Sequence, residues 1–209
     1  MVFRLTDELI FPSPELAEDD GLLAVGGDLS PERLELAYSV GIFPWYSDET
    51  PILWYSPHER FVLFPKKLKL SKSMRKVLKT GIFKTTKDQA FEQVIKACAR
   101  TPRKDQPGTW ITAEMQKAYI DLHNLGLAHS IEVWQNNHLI GGLYGVRVNN
   151  IFCGESMFSK VSNASKVALT CLCREFNYTL IDCQFHTDHL ESLGATYISR
   201  KDYMNFLTA

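Results

Sequence analysis

No run in the sequence reaches the roughly 18–20 consecutive apolar residues that a membrane-crossing helix needs. The opening Met1-Val2-Phe3-Arg4-Leu5-Thr6-Asp7-Glu8 lacks the basic stretch, apolar run and small-residue cleavage site of a secretory signal. The expectation is a cytoplasmic protein with no membrane partner. Cysteine is sparse: Cys98, Cys153, Cys171, Cys173 and Cys183 form no Cys-x-x-Cys pair, and their odd number argues against a disulfide framework. They read as small buried apolar residues. Cys183-Gln184-Phe185-His186-Thr187-Asp188-His189 comes nearest to a metal-binding run, but a zinc site takes about four ligands and no partner cluster stands elsewhere. No metal is expected.

An excess of one charge sign is also missing from the total, which is -1, yet the charge is segregated along the chain. Residues 1–65 carry 3 Lys/Arg against 12 Asp/Glu, residues 66–104 carry 13 against 2, and residues 105–209 carry 7 against 10. Within the basic block, Lys72, Arg75, Lys76 and Lys79 fall at i, i+3, i+4 and i+7, which puts four cations on one face of a helix. With almost no interleaved acid, that face repels itself unless a polyanion or the acidic segment lies opposite. Nucleic acid is the partner such a pattern suits. Ser73-Met74-Arg75-Lys76 and Lys79-Thr80-Gly81 match two signatures of penicillin-binding enzymes. Those signatures lie far apart in such enzymes and almost touch here, so the match is dismissed.

What is present is the balance of a globular chain, with 45% hydrophobic and 22% charged residues over 209 positions, enough for a real core and too apolar for disorder. Ser30 and Pro31 cap and open a helix that runs to about Val40 and stops at Gly41. Two proline-flanked aromatic clusters follow, 42–46 and 51–57, read as hairpin core or as a pocket wall. From Phe61 the pattern becomes regular: a strand near 61–64, the basic helix 71–79, a strand near 82–86, a helix near 88–100, a loop over 102–108 and a helix near 113–125. Ser130–Gln135, Leu139–Val148 and Ile151–Phe158 read as three antiparallel strands turning at Asn136-Asn137 and Asn149-Asn150. A helix near 163–176 leads to an apolar strand, Leu180–Gln184, expected parallel to the third strand.

A meander, a helix and a parallel strand resemble the core of the GNAT acyltransferase fold, which binds an activated acyl group where two strands splay apart. A coenzyme A enzyme needs glycine where backbone N–H groups approach the pyrophosphate. Residues 159–166 contain none. The expected donor is longer and more charged than coenzyme A, and no cofactor is expected.

The motifs then become specific. Phe11-Pro12-Ser13-Pro14, Gly21-Leu22-Leu23-Ala24-Val25-Gly26-Gly27-Asp28-Leu29-Ser30, Gly41-Ile42-Phe43-Pro44-Trp45-Tyr46, Trp54-Tyr55-Ser56-Pro57, Gly108-Thr109-Trp110-Ile111, His129-Ser130-Ile131-Glu132-Val133-Trp134, Phe152-Cys153-Gly154-Glu155-Ser156-Met157-Phe158-Ser159, Asn163-Ala164-Ser165-Lys166 and Leu180-Ile181-Asp182-Cys183-Gln184 together resemble the bacterial leucyl/phenylalanyl-tRNA–protein transferases. The resemblance spans nearly the whole chain. It implies an α+β protein: a small N-terminal α+β domain over 1–60, then a GNAT-like catalytic domain over 61–209 with a mixed, mostly antiparallel sheet flanked by helices.

The implied activity moves Leu or Phe, less readily Met, from aminoacyl-tRNA to the N-terminal Arg or Lys of an acceptor protein. The product is marked for the N-degron pathway through an adaptor and a Clp-type protease. The implied catalytic residues are Asp182 and Gln184, two apart on a strand and so on one face. Gln184 takes a proton from the acceptor amine while Asp182 orients or polarises its amide; alternatively Gln184 only positions the amine and the tRNA 2′-hydroxyl or 3′ end carries the proton.

Glu155 is expected to pair with the acceptor cation, in a cleft walled by Trp45 and Trp110 and lined by Tyr38. The donor side chain is expected in a dry pocket of Leu143, Phe152, Met157, Leu169, Leu172, Phe176 and Ile181. Lys72, Arg75, Lys76 and Lys79 are expected to track the acceptor stem of the tRNA. The resemblance implies a chain that extends further beyond Tyr203 than this one does, so any contribution from such a tail is expected to be absent or replaced, and a monomer is expected. A different class of reading is a non-catalytic tRNA-binding module on an acyltransferase scaffold.

Overall fold

The computed structural model describes residues 2–102 and 110–208. Most of the expected 102–108 loop, with Arg103, Lys104, Gly108 and Thr109, lies outside them. In chain order the elements are β1 (Phe3–Leu5), β2 (Leu22–Gly26), α1 (Pro31–Ser39), β3 (Phe43–Pro44), β4 (Leu53–Tyr55), β5 (Glu59–Leu63), α2 (Lys72–Lys79), β6 (Lys84–Lys87), α3 (Phe91–Arg100) and α4 (Ala113–Asn124). Then follow β7 (Ala128–Gln135), β8 (His138–Val148), β9 (Ile151–Ser159), α5 (Ala164–Glu175), β10 (Leu180–Asp182), α6 (Asp188–Ser192), β11 (Thr196–Ser199) and α7 (Arg200–Leu207).

Local chemistry accounts for the boundaries. The Ser30 hydroxyl accepts from the Arg33 N–H and Pro31 occupies the first turn of α1, while Gly41, at φ +76°, lets the chain leave the helix. Asn136 and Asn137, at φ +50° and +61°, form the tight turn that matches strand twist between β7 and β8.

Two sheets result. The first has the order β1-β2-β4-β3 and the second β11-β5-β10-β9-β8-β7-β6. The 42–57 aromatic clusters supply both readings at once, since Phe43 and Pro44 pair with Tyr55 and Trp54 as a hairpin and Trp45 lines a pocket. In the large sheet β7, β8 and β9 form the meander, and β10 pairs parallel to β9 through Leu180–Ile151, Ile181–Phe152 and Asp182–Cys153. Beyond Asp182 that pairing ends while β9 continues to Ser159, so a gap opens between the two strands.

The sheet is covered on both faces. Val167, Ala168 and Leu172 of α5 and Met74 of α2 pack with Ile131, Leu143, Phe152 and Ile181 on one face. Val94, Met115, Tyr119 and Leu122 pack with Tyr144, Val146 and Cys153 on the other, continuous with Leu23, Leu34 and Trp54 around the small sheet and with Tyr203 and Leu207 of α7. The architecture is α+β, with mixed sheets flanked by helices.

Some expected boundaries move. The strand expected near 82–86 is Lys84–Lys87, the helix expected to 176 ends at Glu175, and the strand expected to 184 ends at Asp182. α6, β11 and α7 have no counterpart among the expected elements: they are short, and their burial is set by long-range packing rather than by a periodic pattern.

Candidate active site

β9 carries an irregularity at its centre. Tyr144 pairs with Ser156 and Gly145 with Gly154, which leaves Glu155 as an extra residue opposite no partner, a β-bulge. The bulge reverses the strand's alternation: before it Phe152 packs in the α5 layer and Cys153 in the opposite one, and after it Met157 joins the α5 layer and Phe158 the other. Gly145 permits the crossing, because a Cβ there would lie 2.1 Å from the Cys153 carbonyl oxygen.

The bulge aims Glu155 into the gap between β9 and β10. Tyr38 of α1 donates its hydroxyl to Glu155 Oε1 at 2.6 Å, and Tyr119 of α4 donates to Oε2 at 3.2 Å. Gln184 donates from Nε2 to Oε1 at 3.3 Å. Burial pushes the Glu155 carboxyl up from its ordinary 4.5 to about 7; the two tyrosine hydroxyls and Arg60 act against the rise and the Asp182 charge adds to it. Burial likewise pushes both tyrosine hydroxyls well above their usual range.

Gln184 follows the end of β10. It stands at φ +55° in the centre of a three-residue turn that the Phe185 N–H closes onto the Cys183 carbonyl at 2.7 Å. A side-chain-bearing residue in that conformation costs about 1–3 kcal/mol and persists only where its surroundings over-determine it. Here the Asp182 Oδ1 accepts the Gln184 main-chain N–H at 2.9 Å. The Asp182 carboxylate, 1% exposed, is itself held by Arg60 Nε at 3.1 Å and by the Tyr203 hydroxyl at 2.9 Å, both on Oδ2. Arg60 also donates to the Gly41 carbonyl at 3.0 Å and lies over the rings of Phe43 and Tyr203 at 4.7 and 4.4 Å. Burial works against its charge, yet Asp182 and Tyr203 hold its pKa above the usual range.

These atoms border a cavity of about 740 Å³. Its apolar lining includes Leu143, Phe152, Met157, Leu169, Leu172 and Ile181, and its polar lining Glu155, Asp182 and Gln184. Trp45, Trp110, Phe43 and Phe185 line it as well, with the Trp45 and Phe185 ring centroids 4.9 Å apart, as do His186, Thr187, His189 and Leu190.

Most of the expected residues therefore converge on one cavity, with four differences. Gln184 does not share a strand face with Asp182, because the strand stops first and the chain turns. Asp182 bonds the Gln184 main chain, while the side-chain amide bonds Glu155. Tyr38 stands behind Glu155, 2% exposed, rather than in the lining. Phe176, just past α5, stacks on Tyr178 and beneath Lys87 outside the cavity. Lys72, Arg75, Lys76 and Lys79 are exposed on α2, which Met74 anchors to the core.

Sequence reasoning missed Arg60, Tyr119 and Tyr203. None of the three is signalled locally: Arg60 follows Glu59 at the start of the apolar run Phe61-Val62-Leu63-Phe64, and its acidic partner lies 122 residues away.

Family models match along the chain. The "Leucyl/phenylalanyl-tRNA protein transferase" model matches residues 62–208, and the model of the N-terminal domain of the same proteins matches residues 27–58. The chain belongs to this family. It is accordingly an aminoacyltransferase. It is 51% identical to the leucyl/phenylalanyl-tRNA–protein transferase of Flavobacterium johnsoniae, over 99% of this chain and 99% of that one. It is 55% identical to that of Syntrophobacter fumaroxidans, over 99% of this chain and 89% of that one. Among solved structures it is similar to a GCN5-related N-acetyltransferase from Kribbella flavida, with a TM-score of 0.39 and 8% identity over 79% of this chain and 59% of that one. That likeness is slight, and the fold class rests on the architecture itself.

Proposed function

We propose that the chain transfers Leu or Phe, and less readily Met, from the 3′ end of a charged tRNA to the N-terminal Arg or Lys of an acceptor protein, marking it for degradation by the N-degron pathway. The observation that carries this is one cavity, at the end of the β9-β10 pairing, that is lined both by apolar side chains and by a carboxylate and an amide.

The donor's side chain packs against the apolar part of the lining. Hydrophobic pockets discriminate by only about 1–3 kcal/mol per methylene, so several apolar amino acids are accepted. The ester carbonyl then lies beside Gln184. The neutral α-amine of the acceptor attacks it, the amide bond forms as the ester C–O bond breaks, and the proton lost by the amine ends on the departing tRNA hydroxyl. Gln184, whose Nε2 is engaged by Glu155, presents its carbonyl oxygen to an amine N–H. Glu155 pairs with the acceptor cation, which favours its ionised form. Trp45 and Trp110 wall the acceptor's path. The exposed cations of α2 hold the tRNA through its phosphates, a mode of binding that positions without reading sequence. The ester is already activated, so positioning of two substrates is the main requirement.

Radiolabelled Leu on tRNA tests this against peptides beginning with Arg and with Asp, using the unaltered chain and Glu155→Ala. Transfer to the Arg peptide alone, abolished in the variant, is the expected result. Tight binding of charged tRNA with no transfer to either peptide would mean a tRNA-binding module instead.

A further inference from the structure

We propose that Arg60 and Tyr203 are positioning residues for the transfer step: acting through the Asp182 carboxylate, they hold the Gln184 main chain in its left-handed turn and so aim the Gln184 side chain at the reacting amine. The proposal rests on the transfer reading above and extends it to two residues that touch neither substrate.

Three observations carry it. The hydrogen bonds form an unbroken chain from Arg60 Nε and the Tyr203 hydroxyl to Asp182 Oδ2, and from Asp182 Oδ1 to the Gln184 N–H, with distances of 3.1, 2.9 and 2.9 Å. Gln184 sits where a side-chain-bearing residue is strained, so something must hold it there. Finally, Arg60 and Asp182 are 2% and 1% exposed, and a buried ion pair of this kind rarely stabilises a fold more than well-packed apolar side chains would. Its use at the edge of the cavity is explained by geometry rather than by stability. Arg60 is itself fixed by the Gly41 carbonyl just after α1, and Tyr203 arrives on α7, so segments distant in the sequence meet behind Gln184.

The test is a double-mutant cycle on the whole chain. Tyr203→Phe keeps the ring over Arg60 and removes one hydroxyl; Arg60→Lys keeps the charge and removes the fork; Gln184→Gly removes the aimed side chain and accepts the turn without strain. Transfer of Leu from charged tRNA to an Arg peptide is measured for each, with KM for both substrates and single-turnover rates. Tyr203→Phe is expected to lower kcat by about 5- to 30-fold, and Arg60→Lys by more, with both KM values within about twofold. In the Gln184→Gly background Tyr203→Phe is expected to change the single-turnover rate by less than about twofold.

A Tyr203→Phe variant with unchanged kcat overturns the proposal, as does one that only becomes less thermally stable. Effects that multiply fully in the double variant overturn it too, because they place Tyr203 on a route that bypasses Gln184. Wild-type transfer accompanied by any of these results leaves the transfer reading intact. No transfer by the wild type overturns both.

Discussion

At Glu155 one carboxyl group faces Tyr38 from α1, Tyr119 from α4 and Gln184 from the turn after β10, with Asp182 on β10 and Arg60 on β5 as the nearest charges behind them. Its pKa is raised from 4.5 to about 7, so between those values the folded chain holds a proton that the unfolded chain has released. Stability from this group is therefore present at low pH and falls as pH rises through the window, with a slope approaching about 1.4 kcal/mol per pH unit. Glu155→Gln, neutral throughout, removes that slope. Urea unfolding at pH 5 and pH 8 is expected to show the variant gaining on the wild type as pH rises; a constant difference would contradict the assigned pKa. That Glu155, Asp182 and Gln184 meet at one cavity was expected from the family resemblance, whose motifs contain all three. Arg60 was not, because its partner Asp182 is 122 residues away and only the β5–β10 pairing brings them together.

Among the elements, α2 is the one whose surface and core roles separate most cleanly. Met74 is buried and Val77 and Leu78 are half-buried, while Lys72, Arg75, Lys76 and Lys79 are exposed. Replacing these four cations by Gln leaves the packed face untouched. Binding of charged tRNA is expected to weaken at least tenfold at low salt, and the slope of log affinity against log salt to become shallower by about 0.7–0.9 for each tRNA phosphate that is no longer neutralised. The KM for the acceptor peptide and the melting temperature should stay near wild type; an unchanged salt slope would assign α2 to a solvated surface. Such helices, and the meander with its Asn136-Asn137 turn, were legible because period and turn chemistry are local. β11 has four residues and, among the described residues, pairs only with β5, so nothing local announced it.

Across the whole molecule, three buried arginines tie distant segments together. Arg33 donates to the Thr6 and Glu8 carbonyls, Arg60 joins Gly41 to Asp182, and Arg200 joins Ser56 and Glu15 to the last helix. The core around the small sheet runs without a break into that of the large one. Unfolding in urea is expected to be a single transition, coincident by tryptophan fluorescence, which reports the fully buried Trp54, and by far-UV circular dichroism. Two separated transitions would show that the sheets fold independently. This cross-linking was the least legible property of the sequence, because each arginine is anonymous until the fold supplies its acceptors.

The bulge in β9 bears on how the chain could be shortened. Because alternation reverses across Glu155, removing that single position would leave Phe152, Cys153, Met157 and Phe158 each on the layer it already occupies, now in an uninterrupted ladder with β8. The sheet is complete without the 155th residue. The ladder and the strand that carries it thus differ in length by one amino acid, and the extra one is the carboxylate that lines the cavity.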